Sequence, residues 1–499
     1  EFYYNKPPLY NWILLVFFEL SGHFDEFTAR LATIFFLLVY ALTVWRIPLS
    51  LQPKPSNHQP STINYQPTTN NQQLPTDNYQ LLTAFALITC GRILFWDSML
   101  ALIDICFSWV MYLLFMLIYR EGERGRYVRM FFFAYGLAAI GFLLKGLPAV
   151  AFPGIALLTY LLWQKKGRQL FTWGHAAGIG IFALVVGGYY AMYAQHNGLE
   201  EVLHTLFRES AKRTFVKYGF GQTVLHLFTF PFEMWYHFLP WTLLAVYLLR
   251  KNAWDLIRRN KFITWNLLVF FTTVIPYWSS VEVYPRYLLM HVPLVFSVFF
   301  YLHFQNRKEG SKMGRVVETG FFVLCLLTTV ASLSPHFWEA VQHVPHLHLK
   351  AALLTVALAG LCWLYWRWQA QRMLVFVLVL LVVRMGFDWF LIPNRLQIDC
   401  ATEVRTTTIG VAKLAKGRPV YILENSLGFQ PITGFYFSRE TGQIVRSAYK
   451  NFDLGACYII KPGVYSESGY TELAKFRVKW ECGELAFGPI HEDMAKRIE

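Results

Sequence analysis

Tyr3-Tyr4-Asn5-Lys6-Pro7-Pro8-Leu9-Tyr10-Asn11-Trp12 sets one lysine in front of two prolines and an apolar run that continues to Leu20. Each proline fixes φ and removes an N–H, and Pro7 steers Lys6 away from helical angles. Lys6 is therefore expected on a stiff, extended corner. The run Trp12–Leu20 is too short to span a bilayer and ends at Ser21-Gly22-His23. It reads as a helix in the membrane interface, with Tyr10 and Trp12 as anchors. A fixed cation at the water–lipid boundary suits a lipid-linked phosphate, and it also suits plain headgroup contact; the spacing alone leaves both open.

The composition makes this an integral membrane protein. Of 499 residues, 55% are hydrophobic and 18% aromatic, and only 15% are charged. About twelve membrane helices are expected between Phe27 and Leu391, including Leu81–Phe95, Met99–Tyr119, Met234–Leu249 and Arg286–Phe304. The net charge of +14 does not point to nucleic acid. The basic residues sit in short loops of one parity: Arg120 to Arg126, Lys165 to Arg168, Arg250-Lys251, Arg258-Arg259 and Arg307-Lys308. These loops are thereby cytoplasmic. The opening loop, the 195–233 loop, the Ser279–Pro285 loop and the tail face outward. Twelve spans with both ends outside imply at least one further helix upstream of Glu1 if the amino terminus begins in the cytoplasm. Residues 53–78, rich in Pro, Asn, Gln and Thr, read as a disordered cytoplasmic loop. The domains expected are thus an outer loop with interfacial helix (1–26), a transmembrane domain (27–391) and an extracytoplasmic α/β domain (392–499).

That tail reads as a helix over Thr402–Leu414 followed by short β-rich runs at Val420–Leu423, Gly434–Phe437, Ile444–Val445 and Tyr458–Ile460. The seven cysteines show no CxxC or zinc spacing. In an external tail, one disulfide among Cys400, Cys457 and Cys482 is open. No Walker motif, dinucleotide fingerprint, HExxH or nucleophile elbow appears where its fold would allow it, which disfavours an ATP-driven pump.

Five outward stretches together resemble one family. Lys6-Pro7-Pro8-Leu9 with Trp12 is similar to the first-loop "(E)KPPL(x)xW" motif of the polyprenyl-phosphate-sugar glycosyltransferases. That membrane superfamily has the GT-C fold and includes the protein O-mannosyltransferases and the lipid A aminoarabinose transferase. Arg92 to Leu100 resembles its "R-x-x-x-x-D-x-x-L" stretch, with Asp97 as the acid. Lys145-Gly146, then Pro153-Gly154, resembles "K-G-x-x-A-x-x-x-P-G". Glu209 to Thr214 is similar to "E-x-x-x-R-F", with Thr214 replacing the aromatic. Ser279, then Arg286-Tyr287-Leu288-Leu289, resembles "S…R-Y-L-L-P", with Met290 replacing the proline.

The resemblance implies transfer of a sugar from a polyprenyl (undecaprenyl) phosphate donor to a lipid, glycan or protein acceptor. The setting it implies is the outer, periplasmic face of a bacterial inner membrane. Lys6, Arg213, Lys145 and Arg286 would bind the donor phosphate, and Tyr4, Asn5 and Tyr287 the substrate. Asp97 would support catalysis, with the main base upstream of residue 1. The family usually has Glu where this chain has Asn5, so a metal- or sugar-binding role there is open; no cofactor is implied, and a divalent metal stays undecided. Each residue also has a plainer reading: Asp97 as a helix cap, Lys145 as a snorkelling lysine, Arg213 as a cation of an interfacial helix. Asp104, read as two turns beyond Asp97 on the same face, is expected to be an internal polar contact. A lipid or polysaccharide transporter (flippase), or a scaffold whose outer domain binds a partner, are the alternatives. A transporter would scatter charges at mid-membrane depth on several helices, where the sequence offers only Asp104 and the pair Arg384 and Asp388.

Overall fold

The computed structural model describes residues 6–50, 77–196, 198–200, 204, 215–398, 401–423, 431–463, 467–478 and 484–498. The chain separates into two compact units. One comprises Tyr3–Ala331 and Thr355–Arg384; the other comprises Glu1–Phe2, Ser332–Leu354 and Met385–Glu499.

The first unit is helical. It opens with α1 (Leu9–Ser21), α2 (Glu26–Ser50), α3 (Asp77–Thr89) and α4 (Gly91–Phe95). Next come α5 (Ile103–Glu123), α6 (Tyr127–Lys145), α7 (Pro148–Trp163) and α8 (Trp173–Ala194). Then follow α9 (Phe215–His237), α10 (Ala253–Arg259), α11 (Lys261–Trp278), α12 (Val292–Lys308) and α13 (Lys312–Ala331). Two further long helices, α14 (Leu347–Arg367) and α15 (Arg372–Gly386), pass between the units. Among the described residues, seven helices are long and apolar enough to cross a membrane, and an eighth is gained if the bent pair α3 and α4 counts as one span. The protein is therefore a polytopic membrane protein.

Several expected spans are interrupted, and the interruptions have local causes. The stretch Leu81–Phe95 bends by 41° after Thr89. Gly91 donates its N–H to the Leu239 carbonyl at 2.8 Å, and a Cβ on Gly91 would stand 3.2 Å from that same oxygen. Only glycine allows so close an approach of two backbones. Met234–Leu249 stops as an α-helix at His237 and resumes as a 3-10 segment, Trp241–Leu249, behind Pro240. Arg286–Phe304 begins as a 3-10 turn, Pro285–Met290, before α12 starts at Val292. Met99–Tyr119 is also shortened: Leu100 and Leu102 are extended and α5 begins at Ile103. Asp104 therefore lies in the first turn of a new helix, and does not share a helical face with Asp97.

Pro7 and Pro8 lead straight into a helix. Pro8 already has αR angles, and its carbonyl accepts from the Trp12 N–H at 3.1 Å. Lys6 is exposed and Pro7 buried. Tyr10 is buried against the protein, whereas Trp12 is exposed and edge-on to Tyr189. Gly22, at φ 67°, ends α1 in the left-handed conformation that favours glycine.

The second unit contains a five-stranded sheet in the order β2-β1-β3-β5-β4, with β1 (Val420–Leu423), β2 (Arg446–Ala448), β3 (Cys457–Ile460), β4 (Ala474–Arg477) and β5 (Glu484–Gly488). The β1–β2 and β1–β3 pairs are parallel, with Tyr421 opposite Arg446 and Tyr458; β3–β5 and β4–β5 are antiparallel. Strand β3, the central strand of this mixed sheet, is buried on both faces. Cys457 and Ile459 join Val420, Phe437, Phe476 and Phe487 on one side. Tyr458 and Ile460 join Tyr470, Ala486 and Ile490 on the other. Gly434–Phe437, read from sequence as a strand, lies inside the helix Pro431–Thr441. Phe437 of this helix packs into the core on one face of the sheet. Cys457 is a free, buried thiol; Cys400 and Cys482 lie outside the described residues.

Candidate functional site

Three separate pieces of the helical unit deliver the charged residues. The first is the break after α4. Arg92 is in α4, and Asp97 opens the 3-10 turn Asp97–Met99. The N-cap position of that turn is Trp96, and Asp97 follows it as the first residue of the turn. The Asp97 carboxylate is gripped by Arg92, whose Nε lies 3.1 Å from each oxygen and whose Nη2 lies 2.9 Å from Oδ1. The helix-cap reading of Asp97 is thus replaced by an ion pair. Arg384 closes the same corner by donating to the Leu94 carbonyl and, at 3.4 Å, to the Ser98 hydroxyl.

The second piece is the start of α5. The Thr33 hydroxyl of α2 holds the extended segment by donating to the Leu100 carbonyl at 2.9 Å. Asp104 follows in the first helical turn, where unpaired N–H groups favour an acid. Its side chain is only 4% exposed. A buried carboxylate needs partners, and it has two.

Lys145 is the first partner. It is the last residue of α6, where the helix C-terminus favours a cation. Gly146, at φ 80°, turns the chain there before Pro148 starts α7. The Lys145 ammonium donates to Asp104 Oδ1 at 2.5 Å. It also lies 4.0 Å from the centre of the Tyr287 ring and 5.0 Å from that of Phe107, within cation–π range. With a side chain only 6% exposed, Lys145 points inward and does not snorkel.

Arg286 is the second partner and belongs to the third piece, the 3-10 turn Pro285–Met290. That turn is tied to α2 by Tyr40, whose buried hydroxyl donates to the Leu289 carbonyl at 3.0 Å. Arg286 Nε sits 3.3 Å from Asp104 Oδ2, and its guanidinium carbon is 4.3 Å from the centre of the Tyr284 ring. The Arg286 side chain remains 25% exposed, far more than Asp104 or Lys145. Lys6 lies within electrostatic range of Asp104, and Asp104 within range of the buried Tyr10 hydroxyl.

The sequence-derived candidates Lys6, Lys145, Arg286 and Tyr287 therefore converge around one carboxylate that the sequence assigned only an internal contact. Asp97, paired with Arg92, lies within electrostatic range of Asp104 and Arg286. Tyr4, Asn5 and Arg213 lie outside the described residues. Among the described residues no group of three or more His, Cys, Asp or Glu side chains could hold a metal.

Behind the cationic cluster lies an apolar cavity of about 250 Å³, lined by Phe230, Trp235, Phe270, Trp278, Leu288 and Val295, among others. The turn Pro285–Met290 connects the two features, since Arg286 and Tyr287 face the charges while Leu288 lines the cavity. Tyr277 stacks on Tyr287 at 5.9 Å between ring centres and meets His291, at the cavity wall, at 6.1 Å. His291 is buried and shares a hydrogen bond of 3.0 Å with the Thr273 hydroxyl.

No family model and no curated protein matches the chain by sequence. Two solved structures share its fold. The ArnT of Cupriavidus metallidurans bound to undecaprenyl phosphate superposes with a TM-score of 0.60 at 16% identity, covering 99% of this chain and 89% of that one. The same ArnT in the apo state gives a TM-score of 0.56 at 16% identity, with the same coverage. The chain thus has the GT-C fold of that protein.

Proposed function

We propose that the protein is a membrane glycosyltransferase that takes a sugar from a polyprenyl-phosphate donor. One observation carries the reading. Two cations, Lys145 and Arg286, pair with the buried Asp104, Lys6 lies within electrostatic range of it, and Leu288 of the 3-10 turn that carries Arg286 lines an apolar cavity. A charged headgroup on an apolar chain is the ligand class that matches both halves. The undecaprenyl phosphate seen with an ArnT of the same fold is one such molecule.

In the reaction, an acceptor hydroxyl oxygen bonds to the anomeric carbon, and the bond from that carbon to the phosphate oxygen breaks. The electron pair stays on the phosphate, and the hydroxyl proton passes to a base. The cations offset the charge that grows on the departing phosphate, the part of such a reaction that preorganised charge stabilises most. Arg286, the more exposed cation of the cluster, can offer its fork to phosphate oxygens. Lys145 reaches them as a point charge over Tyr287. Asp97 and Arg92 shape the neighbouring wall. Arg213, Tyr4 and Asn5 complete the donor site in this reading, and the acceptor is a lipid, glycan or protein at the outer face.

The test uses purified full-length protein in detergent, undecaprenyl-phosphate-linked sugars as donors, and a membrane extract as acceptor pool. Release of free undecaprenyl phosphate, with the sugar recovered on an acceptor, is the expected result. Binding of the donor without release, across a panel of donor sugars, would favour a transporter.

A further inference from the structure

We infer that Asp104 is a positioning residue that fixes Lys145 and Arg286 and sets the net charge of the phosphate site so that the spent lipid phosphate can leave. The inference rests on the transferase reading and goes beyond it in giving the buried carboxylate a task.

The geometry comes first. Asp104 spans two cations from distant parts of the chain with its two oxygens, Lys145 on Oδ1 at 2.5 Å and Arg286 on Oδ2 at 3.3 Å. Lys145 is also held over Tyr287. Two long, flexible side chains are thereby fixed relative to each other. Fixing them in advance removes entropy that a bound phosphate would otherwise have to offset.

The charge comes second. Asp104 offsets one of the two positive charges of Lys145 and Arg286, and the neighbouring Arg92–Asp97 pair adds none. A polyprenyl-phosphate sugar is a phosphodiester with one negative charge. When the bond to the sugar breaks, the retained electron pair turns it into a monoester carrying nearly two. The charge that grows on the departing phosphate meets this positive cluster, the direction that favours bond breaking over donor binding. Without the carboxylate, one more uncompensated positive charge would face a phosphate that must still dissociate. Asp104 therefore limits how tightly the product is held.

A residue that only buttresses the fold would show the opposite sign, because its loss would loosen the site. The probe is free undecaprenyl phosphate in detergent micelles, measured by direct binding and as an inhibitor of turnover. Asp104→Asn is expected to bind it about tenfold more tightly, with KM for the donor and kcat both lowered. Asp104→Asn combined with Lys145→Met returns the site to its original net charge. It should bring affinity back to within about threefold of wild type while turnover stays low. Unchanged or weaker binding by a folded Asp104→Asn protein would overturn the inference. Where Asp104→Asn does not fold, Asp104→Glu decides. Retained charge should leave affinity within about threefold of wild type, while the extra methylene displaces both cations and lowers kcat; a wild-type kcat in that variant would overturn the inference. If the wild-type protein releases no undecaprenyl phosphate from any donor, the transferase reading fails, and the binding measurements still decide the role of Asp104.

Discussion

Arg92 and Asp97 close an ion pair across the junction of α4 with the 3-10 turn that follows it, with Arg92 Nε 3.1 Å from both carboxylate oxygens. Asp97 is 2% exposed and the Arg92 side chain 15%. Removing one partner leaves a buried charge, which costs roughly 3–5 kcal/mol. Asp97→Asn is therefore expected to lower thermal stability and to reduce transfer by about 10²-fold. Arg92→Met with Asp97→Leu removes both charges and should restore much of the stability. If Asp97 supports the reaction, turnover per folded molecule stays low in that double variant. A wild-type rate there would confine Asp97 to holding the helix break.

Lys6 stands just ahead of α1, exposed, with the buried Pro7 behind it. Its charge reaches Asp104. Lys6→Ala should lower the saturated rate, because an ammonium that meets the departing phosphate acts more on the transition state than on the bound donor. Lys6→Arg should recover part of the rate, since the charge survives while its geometry changes. Turnover normalised to folded protein, with donor at saturation, checks this. An unchanged saturated rate in Lys6→Ala would leave Lys6 as a headgroup contact.

Much of the site was readable from the sequence because membrane segments make charges expensive, so Lys6, Asp97, Lys145 and Arg286 stand out against apolar neighbours. Their mutual arrangement was not readable. Lys145 and Asp104 are 41 residues apart, and nothing in either local stretch tells that one answers the other. Asp104 was misplaced because Met99–Tyr119 looks continuously apolar, whereas the extended Leu100 and Leu102 reset the helical phase before Ile103. The bend after Thr89 depends on the approach of the Leu239 carbonyl to Gly91, a tertiary contact. In the tail, Val420–Leu423 and Tyr458–Ile460 fell close to real strands because they are short apolar runs between turn residues. The strands Ala474–Arg477 and Glu484–Gly488 escaped, since the first is half charged and the second begins with a glutamate.

The segregation of basic loops predicts the orientation. Ser61→Cys, in the Pro- and Asn-rich segment expected to be cytoplasmic, should resist an impermeant thiol reagent in intact cells. Ser468→Cys, in the tail expected to be external, should react. Labelling compared before and after permeabilisation is the measurement, and the reverse pattern would invert the proposed side of the site.

Cys457 lies in the centre of the sheet, wholly buried, and burial raises its thiol above the usual range. A raised thiol favours the protonated form in the folded tail. The stability this gives is complete below the ordinary thiol range and is lost as pH rises through the raised value. Cys457 should therefore resist alkylation at pH 8 in the native protein and react on denaturation, as read by peptide mapping. Rapid native labelling would mean that the sheet opens at β3.

The apolar cavity makes a separate demand on the donor. Leu288, at its wall, is two residues from Arg286, so a lipid whose phosphate meets Arg286 can lay its first prenyl units against Phe270, Trp278 and Val295. Val295 is half-buried and lines the cavity. Val295→Trp would fill a large part of the volume with a rigid side chain, and overpacking of this kind costs about 1–3 kcal/mol where it meets resistance. If the cavity holds the prenyl chain, that penalty falls on the complex with long-chain donor, raising its KM by about tenfold, the equivalent of about 1.4 kcal/mol. A donor analogue with a chain too short to enter loses nothing, so its KM should stay within about twofold of wild type. The saturated rate should hold for both donors, because the cations around Asp104 are untouched. An equal rise in KM for long and short donors would mean that the substitution disturbs the turn carrying Arg286. An unchanged KM for both would mean that the chain runs elsewhere along the helices.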